Sequence, residues 1–284
     1  MEHLVEQFIQ ERTYFKNVSP ATVVWYRQSF RAFAGAMDTK AAVGDRIAKL
    51  RQAGVSATSV NTYLRAVNAL FRWAHTEGHQ AEVIRIPRLK EEQKVLATLT
   101  PEHVQRIIHF RSTGVYQHRI HTLACLLLDT GLRINEALSL AREDVDLDNM
   151  LLRVRGKGAK HRLVPISMEM RKLAWKWLRR EDGPPEAFVF QARMGSKLTQ
   201  RNLLRSFKIF GNRLHISGVR FSFHTMRHTF AVNYIRNGGD VFRLQRILGH
   251  STLEMTRRYV NLQTSDLQAV HSKLSLLSAG ARRV

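Results

Sequence analysis

The sequence predicts a mainly α-helical protein with a small antiparallel β-sheet in its second half. Three observations predict it. Apolar residues recur three and four positions apart over most of the chain. One interruption breaks that period, where two short β-prone runs flank Gly156-Lys157-Gly158. Finally, 44% apolar and 24% charged residues are the proportions of a globular chain rather than a disordered one.

At 284 residues the chain is longer than a usual single domain and compatible with two. Leu4, Phe8 and Ile9 form the first apolar face. Ser19-Pro20 reads as an N-cap followed by proline at the first helical position, opening a helix with Val23, Tyr26, Phe30 and Phe33. A third helix holds Ile47 and Leu50 and ends near Gly54. A fourth starts near Ser56 and carries Val60, Leu64, Val67, Leu70, Phe71 and Ala74. The opposite faces hold Arg27, Arg31, Arg51, Arg65 and Arg72. One such arginine would be a solvated surface residue, but their repetition marks a face for a phosphate backbone.

Residues 86–99 lose the period, are charged, and read as a linker between domains. Thr100-Pro101-Glu102 then caps a helix reaching to about Phe110. Another helix runs through Leu123–Leu128 to a Thr-Gly-Leu-Arg turn, and a short one starts at Arg133. Residues 144–149 look turn-rich. Leu151–Val154 and Leu163–Ile166 form the expected hairpin, with a further strand near Phe188–Phe190 joining it. Between them Leu173, Ala174, Trp175, Trp177 and Leu178 make a loosely amphipathic helix. From about residue 198 the pattern is helical again.

The charge is far out of balance. Forty-five Lys and Arg against 23 Asp and Glu give +22, and a compact chain of that charge repels itself unless a polyanion is bound. Nucleic acid is the leading partner, with an anionic membrane surface behind it. The longest strongly apolar stretch, around Leu123–Leu128, is far short of the ~20 residues that span a bilayer. The N-terminus shows no basic stretch followed by an apolar one, so no signal peptide is expected. The single cysteine, Cys125, sits in an apolar run and reads as packing. A reducing cytoplasm, close to the nucleoid, is the expected setting.

Five segments concentrate groups that handle phosphate. In Thr130-Gly131-Leu132-Arg133-Ile134-Asn135-Glu136, Glu136 lies three residues after Arg133 and can orient its guanidinium for a phosphate. Taken alone, this is a surface ion pair of little value. Lys157, between Gly156 and Gly158, puts a cation at a hairpin tip, fit to clamp phosphate or give a proton to a leaving alkoxide. Taken alone, this is a solvated basic turn. His224 and Arg227 share a helical face in Phe223-His224-Thr225-Met226-Arg227-His228. The spacing of His224 and His228 also raises a zinc site, but the motif's glutamate is absent and Arg227 would sit beside the metal. Leu248-Gly249-His250-Ser251 and Tyr259 complete the set. A tyrosine near a helix end is ordinarily half-buried packing, and a phenol with a pKa of ~10 is a poor nucleophile unless cations assist it.

In this order, the segments resemble the tyrosine recombinase (phage integrase) family, closest in layout to bacterial Xer-type recombinases. The resemblance spans nearly the whole chain. It implies a two-domain, C-shaped clamp on DNA, with a helical, SAM-like core-binding domain over 1–85, a linker over 86–99 and a catalytic domain over 100–284. Carried over by position, it makes Arg133, Lys157, His224, Arg227, His250 and Tyr259 the catalytic set and Glu136 the orienting residue. Met226 stands where the family usually has leucine.

Tyr259 would attack the scissile phosphate, giving a 3′-phosphotyrosyl link. Arg133 and Arg227 would hold the non-bridging oxygens and Lys157 would protonate the leaving 5′-oxygen. His224 would move the proton at the tyrosine, with His250 in support, and neither metal nor ATP is implied. Arg27, Arg31, Arg65, Arg72 and Lys160 are the candidate DNA contacts. The partner implied is double-stranded DNA carrying a specific recombination site, bound by a homo-tetramer or a paired hetero-tetramer that works through a Holliday junction. A last helix with Leu267, Val270, Leu274 and Leu277, capped at Ser265-Asp266, would be exchanged between subunits. Two other readings remain open from the residues: a type IB topoisomerase relaxing DNA as a monomer, and a DNA-binding protein without catalysis.

Overall fold

The computed structural model describes residues 1–91, 97–156, 161–181, 183–192, 195–250, 252–257, 259 and 271. The chain forms two compact units, Met1–Lys94 and Val95–Val284.

The first unit is built of α1 (Glu2–Tyr14), α2 (Pro20–Ala32), α3 (Lys40–Gln52) and α4 (Ala57–Thr76). Three of the four starts are capped by a hydroxyl. Ser19 accepts from the Thr22 N–H at 3.3 Å, Thr39 from Ala42 at 3.1 Å and Ser56 from Ser59 at 3.1 Å. α4 is the spine, and Val60, Leu64, Val67, Leu70, Phe71 and Ala74 on it are at most 1% exposed. Phe8 meets the rings of Tyr26, Phe30 and Trp73 edge-on at centroid distances of 5.0, 5.8 and 5.5 Å. Burying one such ring stabilises by about 1.5–3 kcal/mol, so this cluster holds the unit together.

The second unit begins with α5 (Pro101–Ile108), α6 (Val115–Thr130) and α7 (Ile134–Ala137). A 3₁₀ turn over Arg142–Asp144 leads to β1 (Val145–Asp146), β2 (Leu151–Arg155) and β3 (His161–Pro165). Then follow α8 (Met168–Arg180), α9 (Gln200–Arg213), α10 (Phe223–Arg236), α11 (Val241–Leu248) and α12 (Glu254–Arg257). α6 is buried nearly all round, with Leu123, Ala124 and Leu127 fully enclosed. It packs against α10 on one side and α8 on another. The sheet is antiparallel in the order β1-β2-β3, with Leu152 opposite Val164 and Val154 opposite Arg162. Among the described residues no helix is long and apolar enough to cross a membrane.

One sequence expectation is corrected and two are refined. The stretch expected to be a linker, 86–99, is held at both ends. Ile86 is buried in the first unit, the Leu89 N–H donates to Asn61 Oδ1 at 2.8 Å, and the Leu99 N–H donates to Thr229 Oγ1 at 2.9 Å. Residues 144–149 hold strand β1, only two residues long, and too brief to show alternation. Phe188 forms a single bridge with Ala141 and does not join the hairpin. There Val189 and Phe190 are buried, and the Val189 carbonyl accepts from Trp177 Nε1 at 2.7 Å. The segment serves the core beneath α8 rather than the sheet.

Candidate active site

The site is assembled at the C-terminal end of α11. A helix leaves its last carbonyls without internal partners. Here three arginines from three other elements take them. Arg162 of β3 donates to the Ile247 carbonyl at 2.8 Å, Arg227 of α10 to Leu248 at 2.8 Å, and Arg133 to Leu248 and Gly249 at 3.2 and 3.3 Å. Cations at that end also complement the helix dipole. Gly249 takes φ +64 to close the helix, and a Cβ there would lie 2.9 Å from the Arg162 guanidinium. Only glycine gives both the left-handed backbone and the room.

Arg133 is the N-cap residue of α7, not a residue of its first turn. Glu136 accepts from the Arg133 N–H at 2.9 Å and from its Nη1 at 2.9 Å, so a capping contact and an ion pair share one carboxylate. Arg162 then grips both Glu136 oxygens, at 3.1 and 2.8 Å. Burial alone would raise the Glu136 carboxyl, but the hydrogen bonds from Arg162 and the Arg133 N–H, with both charges, outweigh it and hold it below its ordinary range.

Arg227 is 6% exposed. Its Nη1 donates to the Gly131 carbonyl at 2.6 Å, and its Nη2 also meets His250 Nε2 at 2.9 Å. Burial, and after it the charge of Arg133, lowers this guanidinium to about 10. Gly131 ends α6 with φ +63, and a Cβ there would lie 2.3 Å from the Phe230 ring. Arg133 and Arg162 thus share one carboxylate with the buried Arg227 nearby, an arrangement that an arriving anion relieves. Beside them opens a cleft of ≈ 930 Å³ whose lining includes Arg133, Glu136, Arg155, His161, Arg162 and His250.

Tyr259 is 4% exposed and packs with Ala231, Ile235, Leu244 and Leu248. Its ring stacks on His250 at 6.4 Å and 12°. The phenolic oxygen is hydrogen-bonded to His228 Nδ1 at 2.9 Å. His250 Nδ1 lies 2.8 Å from Thr256 Oγ1, which ties the ring to α12.

Residues 97–266, more than half of the chain, match the phage integrase family. The chain belongs to this family. It is 31% identical to tyrosine recombinase XerA of Thermococcus onnurineus (strain NA1) over 284 residues, covering 98% of each chain. Tyrosine recombinase XerC of Chlamydia pneumoniae is 28% identical over 94% of this chain and 87% of that protein. The recombinase is therefore Xer-type.

Among solved structures, the Tn1549 transposon integrase in complex with a circular intermediate DNA superposes with a TM-score of 0.77. The identity is 20%, over 95% of this chain and 99% of that one. The XerH site-specific recombinase bound to palindromic difH substrate gives a TM-score of 0.74 and 20% identity over 98% and 85%. At these identities the likeness is one of fold: mostly helical with a small three-stranded antiparallel sheet.

Of the residues selected in the recombinase sequence, the fold joins Arg133, Glu136, Arg227, His250 and Tyr259 in one network. His224 stands exposed in the first turn of α10. The phenol is hydrogen-bonded to His228, one turn further on. Lys157 and Lys160 lie outside the described residues, as does the C-terminal stretch with Leu267, Val270, Leu274 and Leu277.

In the first unit Arg27, Arg31, Arg65 and Arg72 are all exposed. Arg27 is paired with Glu6, at 3.0 Å through Nη2, and Arg65 lies over the Trp25 ring at 5.5 Å. Two features escaped the sequence reading. Arg162 was legible as an arginine on the Val164 side of a strand whose alternate residues are exposed. α9 carries a second basic face, with Arg201, Arg205, Lys208 and Arg213 exposed opposite buried Leu203, Phe207 and Phe210.

Proposed function

We propose that this chain is a site-specific DNA recombinase that cuts and rejoins strands with Tyr259 as nucleophile. One observation carries the reading: Tyr259 stands against a histidine-bridged arginine network that has more cationic charge than the Glu136 carboxylate neutralises. Tyr259 Oη attacks phosphorus, the bond to the 5′-oxygen breaks, and a 3′-phosphotyrosyl ester forms. Arg133 and Arg227 stabilise the charge that grows on the non-bridging oxygens. Lys157 gives its proton to the 5′-oxygen, His224 hydrogen-bonds the phosphate, and His250, bonded to Arg227 and stacked on Tyr259, supports the nucleophile. A 5′-hydroxyl from the partner strand then attacks the ester and frees Tyr259. One phosphodiester replaces another, so no external energy source is required.

The +22 charge and the exposed arginines of the first unit and of α9 support binding of a phosphate backbone by each unit. On this reading residues 1–85 bind the core of the site and residues 100–284 hold the chemistry. Four subunits, of this chain alone or paired with a second recombinase, work on two DNA sites through a Holliday junction. The C-terminal segment passes between neighbours, and the protein resides on the nucleoid.

The test is covalent capture. Nicked suicide duplexes with random flanking sequence, incubated with the protein, yield an adduct that survives denaturation. Tyr259→Phe abolishes the adduct while the duplex still binds. An adduct formed by Tyr259→Phe removes this nucleophile.

A further inference from the structure

The attacking phenol must lose a proton, and the side chains around Tyr259 decide which group receives it. We propose that His228 takes the proton of Tyr259 during cleavage and returns it during ligation. The proposal rests on the reading of Tyr259 as the nucleophile.

Four observations converge on it. Tyr259 is 4% exposed, so its side chain is largely cut off from bulk water. His228 Nδ1 is 2.9 Å from Tyr259 Oη, within the reach a general base needs. The rings lie 5.7 Å apart and inclined at 50°, so one edge of the imidazole meets the hydroxyl. With the phenol donating, Nδ1 accepts, and the neutral ring carries its hydrogen on Nε2.

Among the described residues, the other candidates are less well placed. His250 stacks on the same tyrosine, but its Nε2 faces the Arg227 guanidinium at 2.9 Å. A guanidinium only donates, so Nε2 is the accepting nitrogen of that ring and Nδ1 carries the hydrogen toward Thr256 Oγ1 at 2.8 Å. Arg227 itself has no acceptor. His224 is exposed at the start of α10, a full turn before His228.

The placement also has a structural logic. Arg227 and His228 are adjacent on α10, and successive side chains on a helix diverge by ~100°. One rigid element therefore aims a cation at the phosphate and an acceptor at the phenol, and fixes the angle between them. As the Oη–P bond forms, the phenolic proton passes to Nδ1. As the P–O5′ bond breaks, the leaving oxygen takes a proton from Lys157. In ligation the imidazolium gives the proton back to Oη.

The experiment uses the full chain and a nicked suicide duplex selected by covalent capture with the wild-type protein. His228→Asn keeps an amide near the Nδ1 position, able to hold the phenol but unable to accept its proton. We expect adduct formation to slow about 10²–10⁴-fold in this variant, with duplex affinity and thermal unfolding unchanged. On a duplex whose scissile 5′-oxygen is replaced by sulfur, the slow rate of His228→Asn persists, because a thiolate needs no acid but the phenol still needs a base. Replacing Tyr259 by the more acidic difluorotyrosine in both proteins narrows the rate gap between the wild-type chain and His228→Asn. Wild-type cleavage rates for His228→Asn, or recovery on the sulfur duplex, overturn the proposal while the adduct keeps the nucleophile. Failure of the wild-type protein to form any adduct, or an adduct with Tyr259→Phe, overturns the underlying reading instead.

Discussion

Four arginines of the first unit and two of the second stand in opposite settings. In the first, Arg27, Arg31, Arg65 and Arg72 stand on the surface of a core made almost wholly of apolar side chains. In the second, Arg227 is buried and Arg162 nearly so, and each directs one donor to a main-chain carbonyl at the end of α11 and the others to Glu136, Gly131 or His250. An exposed guanidinium stays hydrated and leaves the stability of the fold unchanged. A buried one has lost its water and is retained only where its geometry is complete. The first kind gives charge to a surface; the second holds a constellation of partners in place.

The contrast sets an order of effects. Arg227→Ala leaves the Gly131 and Leu248 carbonyls and His250 Nε2 without this donor. We expect a loss of about 2–5 kcal/mol in urea unfolding, together with loss of the covalent adduct. Full stability in this variant would mean that the buried guanidinium is not a structural member.

Arg162→Ala comes next. It removes the grip on Glu136 but not the Arg133–Glu136 pair, so the expected loss is smaller, about 1–3 kcal/mol. The acid limb reports on the same carboxylate. Because Glu136 is held below its ordinary range in the folded state, its contribution is fully present above the unfolded value, near ~4.3. It fades as pH falls through the lower folded value. Glu136→Gln therefore flattens the loss of stability below about pH 4, read by unfolding at a series of pH values. An unchanged acid limb would show that Glu136 is not held by its arginines.

The smallest structural effect belongs to the first unit. Arg31→Ala combined with Arg72→Ala should leave the unfolding midpoint where it is. The plot of log affinity for duplex DNA against log salt should become shallower by about 1 for each phosphate contact removed. An unaltered slope would take these arginines off the DNA, and a lowered midpoint would erase the contrast between the two units.

Most of the helical frame was legible in the sequence. The caps at Ser19, Ser56 and Thr100, and the apolar series of α4 from Val60 to Ala74, are local signals written within one element. The identities of Arg133, Arg227, His250 and Tyr259 were legible too, as an ordered set. What the sequence could not express is which partner each would meet. The carbonyls that gather three arginines belong to 247–249, while the arginines come from positions 133, 162 and 227. His228 had no claim on the phenol until Tyr259 was folded back against α10. Periodicity and capping act over a few residues, so the sequence alone determines them. Partner choice depends on how folded elements close on one another, and only tertiary structure decides it.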